Sequence, residues 1–141
     1  MSINEIAQAI IEEFELFPDM HDKYEHLIEL GKTLPLFDPK NKTEQHLIEG
    51  CQSRAWLNAS YDNGLVHFTA DSDALIPKGI VSLLVRVLSG HSPQEIIDAP
   101  LDFIQEIGLK EILSPNRANG LLSMVKQMKL YALVFQQREK Q

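Results

Sequence analysis

The sequence predicts an α+β domain in which helices pack a small antiparallel sheet. Two short runs, 54–61 and 65–70, alternate apolar and polar residues, the period of a half-buried strand. Asp62-Asn63-Gly64 stands between them, and Asn followed by Gly tolerates the positive φ angles of a type I′ hairpin turn. Apolar stripes of helical period lie before and after this hairpin, so helices and strands are segregated rather than alternating.

Residues 2–14 read as a helix. Ser2 is placed to cap it, and Glu5 at N3 completes a capping box. Ile3, Ala7, Ile10, Ile11 and Phe14 share one face, which Ile6 widens. Phe17-Pro18 breaks the pattern. Asp19 then caps a second helix, with Asp22 in its first turn and Gly31 as its terminator. Tyr24, Leu27, Ile28 and Leu30 are its apolar residues. From 33 to 45 the chain is a connection anchored by Leu34, Leu36 and Phe37 and stiffened by Pro35 and Pro39. Residues 46–49 read as a short strand.

In the hairpin, Ala55, Leu57, Ala59 and Tyr61 take one face of the first strand, and Val66, Phe68 and Ala70 alternate along the second. A third helix begins near Asp71-Ser72-Asp73, capped by Ser72 or Asp73, with Pro77 in its first turn. Its body is apolar on nearly every side, which marks a central helix. Ser89-Gly90 ends it. Ser92-Pro93-Gln94-Glu95 combines cap, N1 proline and N3 glutamate in a short helix stopped by Pro100. Another helix covers 101–107, closed by Gly108. Ser114-Pro115 opens the last one, with Ala118, Leu121, Leu122, Val125, Met128, Ala132 and Phe135 along one face. The polar tail, 136–141, is expected to fray.

A chain of 141 residues suits a single domain over 1–141 with its own core. One cysteine makes no internal disulfide, which excludes the framework of a small secreted protein. No stretch approaches the roughly 20 apolar residues of a membrane span. Glu5, Glu12 and Glu13 replace the basic start of a signal peptide, so a cytoplasmic, reducing location is expected. Twenty acidic against 13 basic residues give a net charge of -7, which opposes binding to a nucleic-acid backbone.

Chemistry concentrates on the one thiol. Cys51 follows Gly50, precedes Gln52 and Ser53, and leads through Arg54 into the hairpin. A lone cysteine is commonly a small buried hydrophobe. Here its neighbours are polar, and Arg54 adds positive charge, which also fits a reactive thiolate. Without a second cysteine there is no dithiol chemistry, and one thiol holds neither a structural zinc nor an iron–sulfur cluster. The five histidines form no ligand-spaced cluster. His46 alone lies near Cys51 in sequence, with no orienting partner to complete a catalytic dyad. Asp71 and Asp73 read as helix caps, with metal chelation or contact with a basic partner as the alternatives. Arg117 opens the last helix, where its charge opposes the helix dipole; it is either an ordinary surface arginine or one held by a carboxylate, a partner or the Cys51 surroundings.

Four groups of residues resemble the SufE family of sulfur-acceptor proteins, which includes the CsdE branch. They are Tyr24-Glu25-His26-Leu27-Ile28-Glu29-Leu30-Gly31 with Leu34-Pro35; Gly50-Cys51-Gln52-Ser53 with Trp56; Asp71-Ser72-Asp73 with Lys78-Gly79; and Ser114-Pro115-Asn116-Arg117 with Gly120-Leu121. They occur in family order over roughly residues 15–135. Pro77 departs from the valine more common there, and Asn116 and Asn119 vary the setting of Arg117.

The resemblance implies a SufE/IscU-like α+β fold and a carrier of sulfur. Cys51 is the implied persulfide site, shaped by Gly50, Gln52 and Ser53. Asp71 and Asp73 have an implied role in orientation or partner contact, and Arg117 in steadying Cys51 or contacting the donor. The implied partner is a cysteine desulfurase, which uses pyridoxal phosphate and is stimulated by the exchange. The carrier itself has no cofactor and passes sulfur to a SufBCD-type scaffold or another acceptor. A monomer is expected on separate grounds, because one core can consume the apolar residues of the chain. The cysteines that a cluster scaffold needs are missing from the sequence. Two other readings keep Cys51 out of sulfur transfer: a non-catalytic adaptor that regulates a desulfurase, and a single-cysteine redox sensor.

Overall fold

The computed structural model describes residues 1–48, 54–109 and 115–139, with the side chains of 115–118 excepted. Helix α1 (Ile3–Glu15) begins on the Ser2–Glu5 capping box, and α2 (Met20–Gly31) begins on the Asp19 side chain, which accepts from the His21 N–H. Strands β1 (Ala55–Asp62) and β2 (Leu65–Ser72) pair antiparallel in the register Ala55↔Ser72 to Asp62↔Leu65. Asn63 and Gly64 turn the hairpin with φ of 52° and 78°. Helices α3 (Leu75–Leu88), α4 (Pro93–Asp98), α5 (Phe103–Glu106) and α6 (Pro115–Glu139) follow.

Leu57, Val66, Phe68 and Ala70 send the buried face of the hairpin into a core with Ile10, Phe14, Leu27, Leu84 and Met128. Helix α3 is central, as its composition requires: it packs on α1, α2, β2 and α6. Lys129 of α6 donates to the carbonyls of Ile97 and Ala99 at 3.1 and 2.7 Å, which ties α6 to the end of α4. The α+β expectation holds, as do both capping boxes, the Gly90 stop and the Gly108 stop.

Several local expectations change. Gly31 does not terminate α2 by a left-handed turn; it is the last helical residue, and Lys32 caps in right-handed geometry. Its missing side chain serves packing instead. A Cβ on Gly31 would meet the Gly79 nitrogen at 3.0 Å, and one on Gly79 would meet the Leu27 carbonyl oxygen at 2.5 Å. Residues 46–48 make one bridge, Leu47↔Trp56, rather than a full strand. The last-helix stripe is shifted: Met124, Met128 and Ala132 are buried, whereas Leu122 is 66% exposed. Helix α6 also runs through Gln136, whose amide donates to Gln94 at 2.7 Å, so this part of the tail is held.

Candidate functional site

Cys51 and its neighbours Gly50, Gln52 and Ser53 lie outside the described residues, as does the Arg117 side chain. The described residues define the two ends between which Cys51 falls in sequence. On one side, buried Ile48 donates its N–H to the Ala55 carbonyl at 2.8 Å, and Leu57 donates to the His46 carbonyl at 2.9 Å. On the other side, Arg54 is held three times. Its N–H donates to Asp73 Oδ1 at 2.9 Å, and its carbonyl accepts from the Asp73 N–H and the Ser72 hydroxyl, both at 3.0 Å. Ile48 and Arg54, the described residues on either side of Cys51 in sequence, are therefore anchored at neighbouring positions on the sheet.

This geometry corrects the capping role expected of Asp71-Ser72-Asp73. Asp71 and Ser72 belong to β2, because pairing continues to Ala55↔Ser72. The N-cap of α3 is Ala74, which offers no side-chain cap. The Ser72 and Asp73 side chains are engaged by Arg54 across the sheet.

Asp71 faces cations. Its carboxylate lies 2.9 Å from Lys42 Nζ and 3.3 Å from Lys78 Nζ, and also accepts from the Ser72 N–H at 2.8 Å. Partial burial works to raise its pKa. The hydrogen bonds from Lys42, Ser72 and Lys78 outweigh burial and hold it below the ordinary value of 3.8. Lys42 also sits 5.0 Å from the centre of the Trp56 ring. One carboxylate thus joins the 33–45 connection, β2 and α3 beside the Arg54 end. Sequence reasoning singled out Asp71 but passed over Lys42, which carries no local signal because its partners come from the folded sheet.

His46 Nδ1 pairs with Thr43 Oγ1 at 3.2 Å. Arg117 has its backbone in the first turn of α6. No group of three or more His, Cys, Asp or Glu side chains is arranged for a metal among the described residues. Nor is any described helix long and apolar enough to cross a membrane.

A hairpin packed by helices, with the single cysteine falling in sequence between two sheet-anchored residues, defines a class of small α+β proteins. The chain belongs to the SufE family: the family's description, an Fe-S metabolism associated domain, matches residues 8–132. An uncharacterized SufE-like protein of Synechocystis is 37% identical, with 90% of this chain and 80% of that protein covered. SufE-like protein 1, chloroplastic/mitochondrial, of Arabidopsis thaliana is 41% identical over 89% of this chain, which spans 34% of that longer protein. The sulfur acceptor protein CsdE of Escherichia coli is 34% identical, with 82% and 80% covered. A solution structure of a hypothetical protein from Thermus thermophilus shares the fold, with a TM-score of 0.74 at 23% identity over 90% of this chain and 93% of that one.

Proposed function

We propose that this protein is a sulfur acceptor and carrier that takes persulfide sulfur from a cysteine desulfurase onto Cys51, stimulates that enzyme, and passes the sulfur to iron–sulfur cluster assembly. The observation that carries the reading is the one cysteine of the chain, in Gly50-Cys51-Gln52-Ser53, inside the span matched by the SufE family. Similarity to a protein named a sulfur acceptor supports the same direction.

Cys51 loses its thiol proton to solvent or a nearby base, and the thiolate attacks the outer sulfur of the donor persulfide. A new S–S bond forms on Cys51 as the donor S–S bond breaks, and the donor thiolate leaves with the electron pair. Sulfane sulfur changes carrier with no external oxidant or reductant. The step needs direct contact between the two cysteines, and holding reactants in place lowers the barrier. Removing sulfur from the donor frees it for another turnover, which accounts for stimulation. Ile48 and Arg54, the described residues that flank Cys51 in sequence, are anchored to the sheet, and Asp71 and Asp73 hold the adjoining strand end. Pyridoxal phosphate belongs to the donor, and the carrier works in the cytosol as a monomer without a cofactor of its own.

Intact mass after incubation with a cysteine desulfurase and cysteine, without reductant, tests the assignment. A gain of one sulfur, about 32 Da, that dithiothreitol removes and Cys51→Ser abolishes is the expected result. An unchanged mass alongside stimulated desulfurase turnover would replace it with the adaptor reading.

A further inference from the structure

We propose that the open edge of β1 and the outer side of α6 form a docking groove for an extended segment of a partner protein, one with alternating apolar residues and an acidic flank. The edge comes first. The bonds from Ile48 to Ala55 and from Leu57 to His46 show that odd-numbered residues of β1 point their backbone groups away from β2. Pairing stops there, because the chain turns away through His46 N–H to Thr43 at 3.1 Å and Leu47 N–H to Glu44 at 3.3 Å. Beyond Leu57, the outward backbone groups of Ala59 and Tyr61 have no backbone partner among the described residues. An unpaired strand edge is a template for another extended backbone.

The surroundings of that edge are shaped for side chains. Two adjoining hollows of about 390 and 330 Å³ run beside it and share Gln127, Leu130 and Tyr131. Leu130 and Val134, which line the hollows, are 47% and 40% exposed. An occupant whose alternate residues are apolar would cover them while its backbone pairs with Ala59 and Tyr61.

Charge selects the occupant further. Lys126 lines one hollow and Arg138 the other, and neither has an ion pair among the described residues. Arg138 instead lies 5.9 Å from the centre of the Phe135 ring, which stacks on Tyr61 at 5.2 Å. The helix rises about 18 Å between these two cations, the reach of about five strand residues. Glu44 lines the Lys126 end and Glu139 reaches Tyr61 near Arg138, so neither end is favoured over the other and an acidic residue is tested at both. In a chain of net charge -7, these unpaired cations are where an acidic segment finds attraction.

The probe is a blocked peptide, Asp-Val-Thr-Val-Thr-Val-Glu, added at millimolar concentration to the full-length isotope-labelled protein. Amide exchange at Ala59 and Tyr61 is expected to slow by about tenfold as these N–H groups become bonded. A copy of the peptide with Lys at both ends is expected to bind more weakly. Ala59→Pro removes an outward N–H and leaves the β1–β2 bonds, which use even-numbered residues, so it should abolish the slowing. Arg138→Glu, on an exposed position, keeps the test valid if the proline variant misfolds, and should reverse the preference between the two peptides. No slowing at Ala59 and Tyr61 would overturn the proposal. So would equal binding of the lysine peptide, or the same protection appearing on raising protein concentration alone, which would make a second copy the occupant. The readout is backbone exchange, so its outcome is separate from that of sulfur uptake at Cys51.

Discussion

Arg54 and Asp73 bind each other reciprocally: the Arg54 N–H donates to the Asp73 carboxylate at 2.9 Å, and the Asp73 N–H donates to the Arg54 carbonyl at 3.0 Å. Removing the carboxylate in Asp73→Ala should cost about 1 kcal/mol, since the bond lies near the surface. Asp73→Asn keeps an acceptor oxygen and should lose less. Urea midpoints rank the two, and exchange of the Arg54 amide should accelerate in the alanine variant. Equal midpoints for alanine and wild type would mean that the backbone bonds hold this end unaided.

Contact between α2 and α3 depends on two missing side chains. Gly79→Ala would press a Cβ to 2.5 Å from a backbone oxygen of Leu27, which a rotamer change does not relieve. Overpacking of this kind costs about 1–3 kcal/mol, more than the gain of up to about 1 kcal/mol in helix propensity. Gly31→Ala meets Gly79 at 3.0 Å and should be milder. Thermal unfolding should therefore place Gly79→Ala below Gly31→Ala, and the reverse order would show that the helices separate freely.

Glu13 joins α1 to its neighbours: its carboxylate lies 2.9 Å from His26 Nε2 of α2 and 3.3 Å from Arg86 of α3. Burial acts to raise its pKa, but the bonds from His26 and Arg86 outweigh burial and hold it below 4.5. A carboxylate with a depressed folded pKa stabilises fully above its unfolded pKa and loses that contribution as pH falls through the folded value. Glu13→Gln should therefore be less stable than wild type by about 1.5 kcal/mol near neutrality. The difference should shrink in acid, below 4.5. Urea titrations across that range check the sign; a constant difference would point to shape rather than charge.

Helix α3 starts without a side-chain cap, although Ala74 already has the extended backbone of an N-cap, φ -119° and ψ 143°. Ala74→Ser should stabilise the protein by about 0.5–1 kcal/mol by satisfying a free N–H of the first turn. A raised Tm with unchanged sulfur uptake is the expected pair of results. A lowered Tm would mean that the Ser72 hydroxyl, 3.4 Å from the Ala74 N–H, had been displaced from its place against Arg54.

The features legible in the sequence were those whose partners lie within a few residues. Ser2 with Glu5, Ser92 with Glu95, and Asn63-Gly64 act over one turn, and the folded chain uses each as read. Helix α2 ends at Gly31 as expected but without a left-handed turn; the close contact of Gly31 is Gly79, distant in the chain and near only after α2 crosses α3. The Asp71-Ser72-Asp73 group has the composition of a cap, and its real partner, Arg54, is found only through strand pairing. On α6, Leu122 and Met124 exchange places because apolar residues occupy two sides of that helix, and periodicity alone does not choose between them. For Cys51 the motif carried the assignment, and the fold adds the fixed ends on either side of it.

Among the described residues, those fixed ends are made by Ile48 with Ala55, and by Arg54 with Ser72 and Asp73. These bonds join backbone and side chains of Ile48, Ala55, Arg54, Ser72 and Asp73, so a library that varies only 49–53 leaves each of their partners in the sequence. Unfolding midpoints across such a library would measure how far the identity of the thiol segment is tied to the stability of the fold.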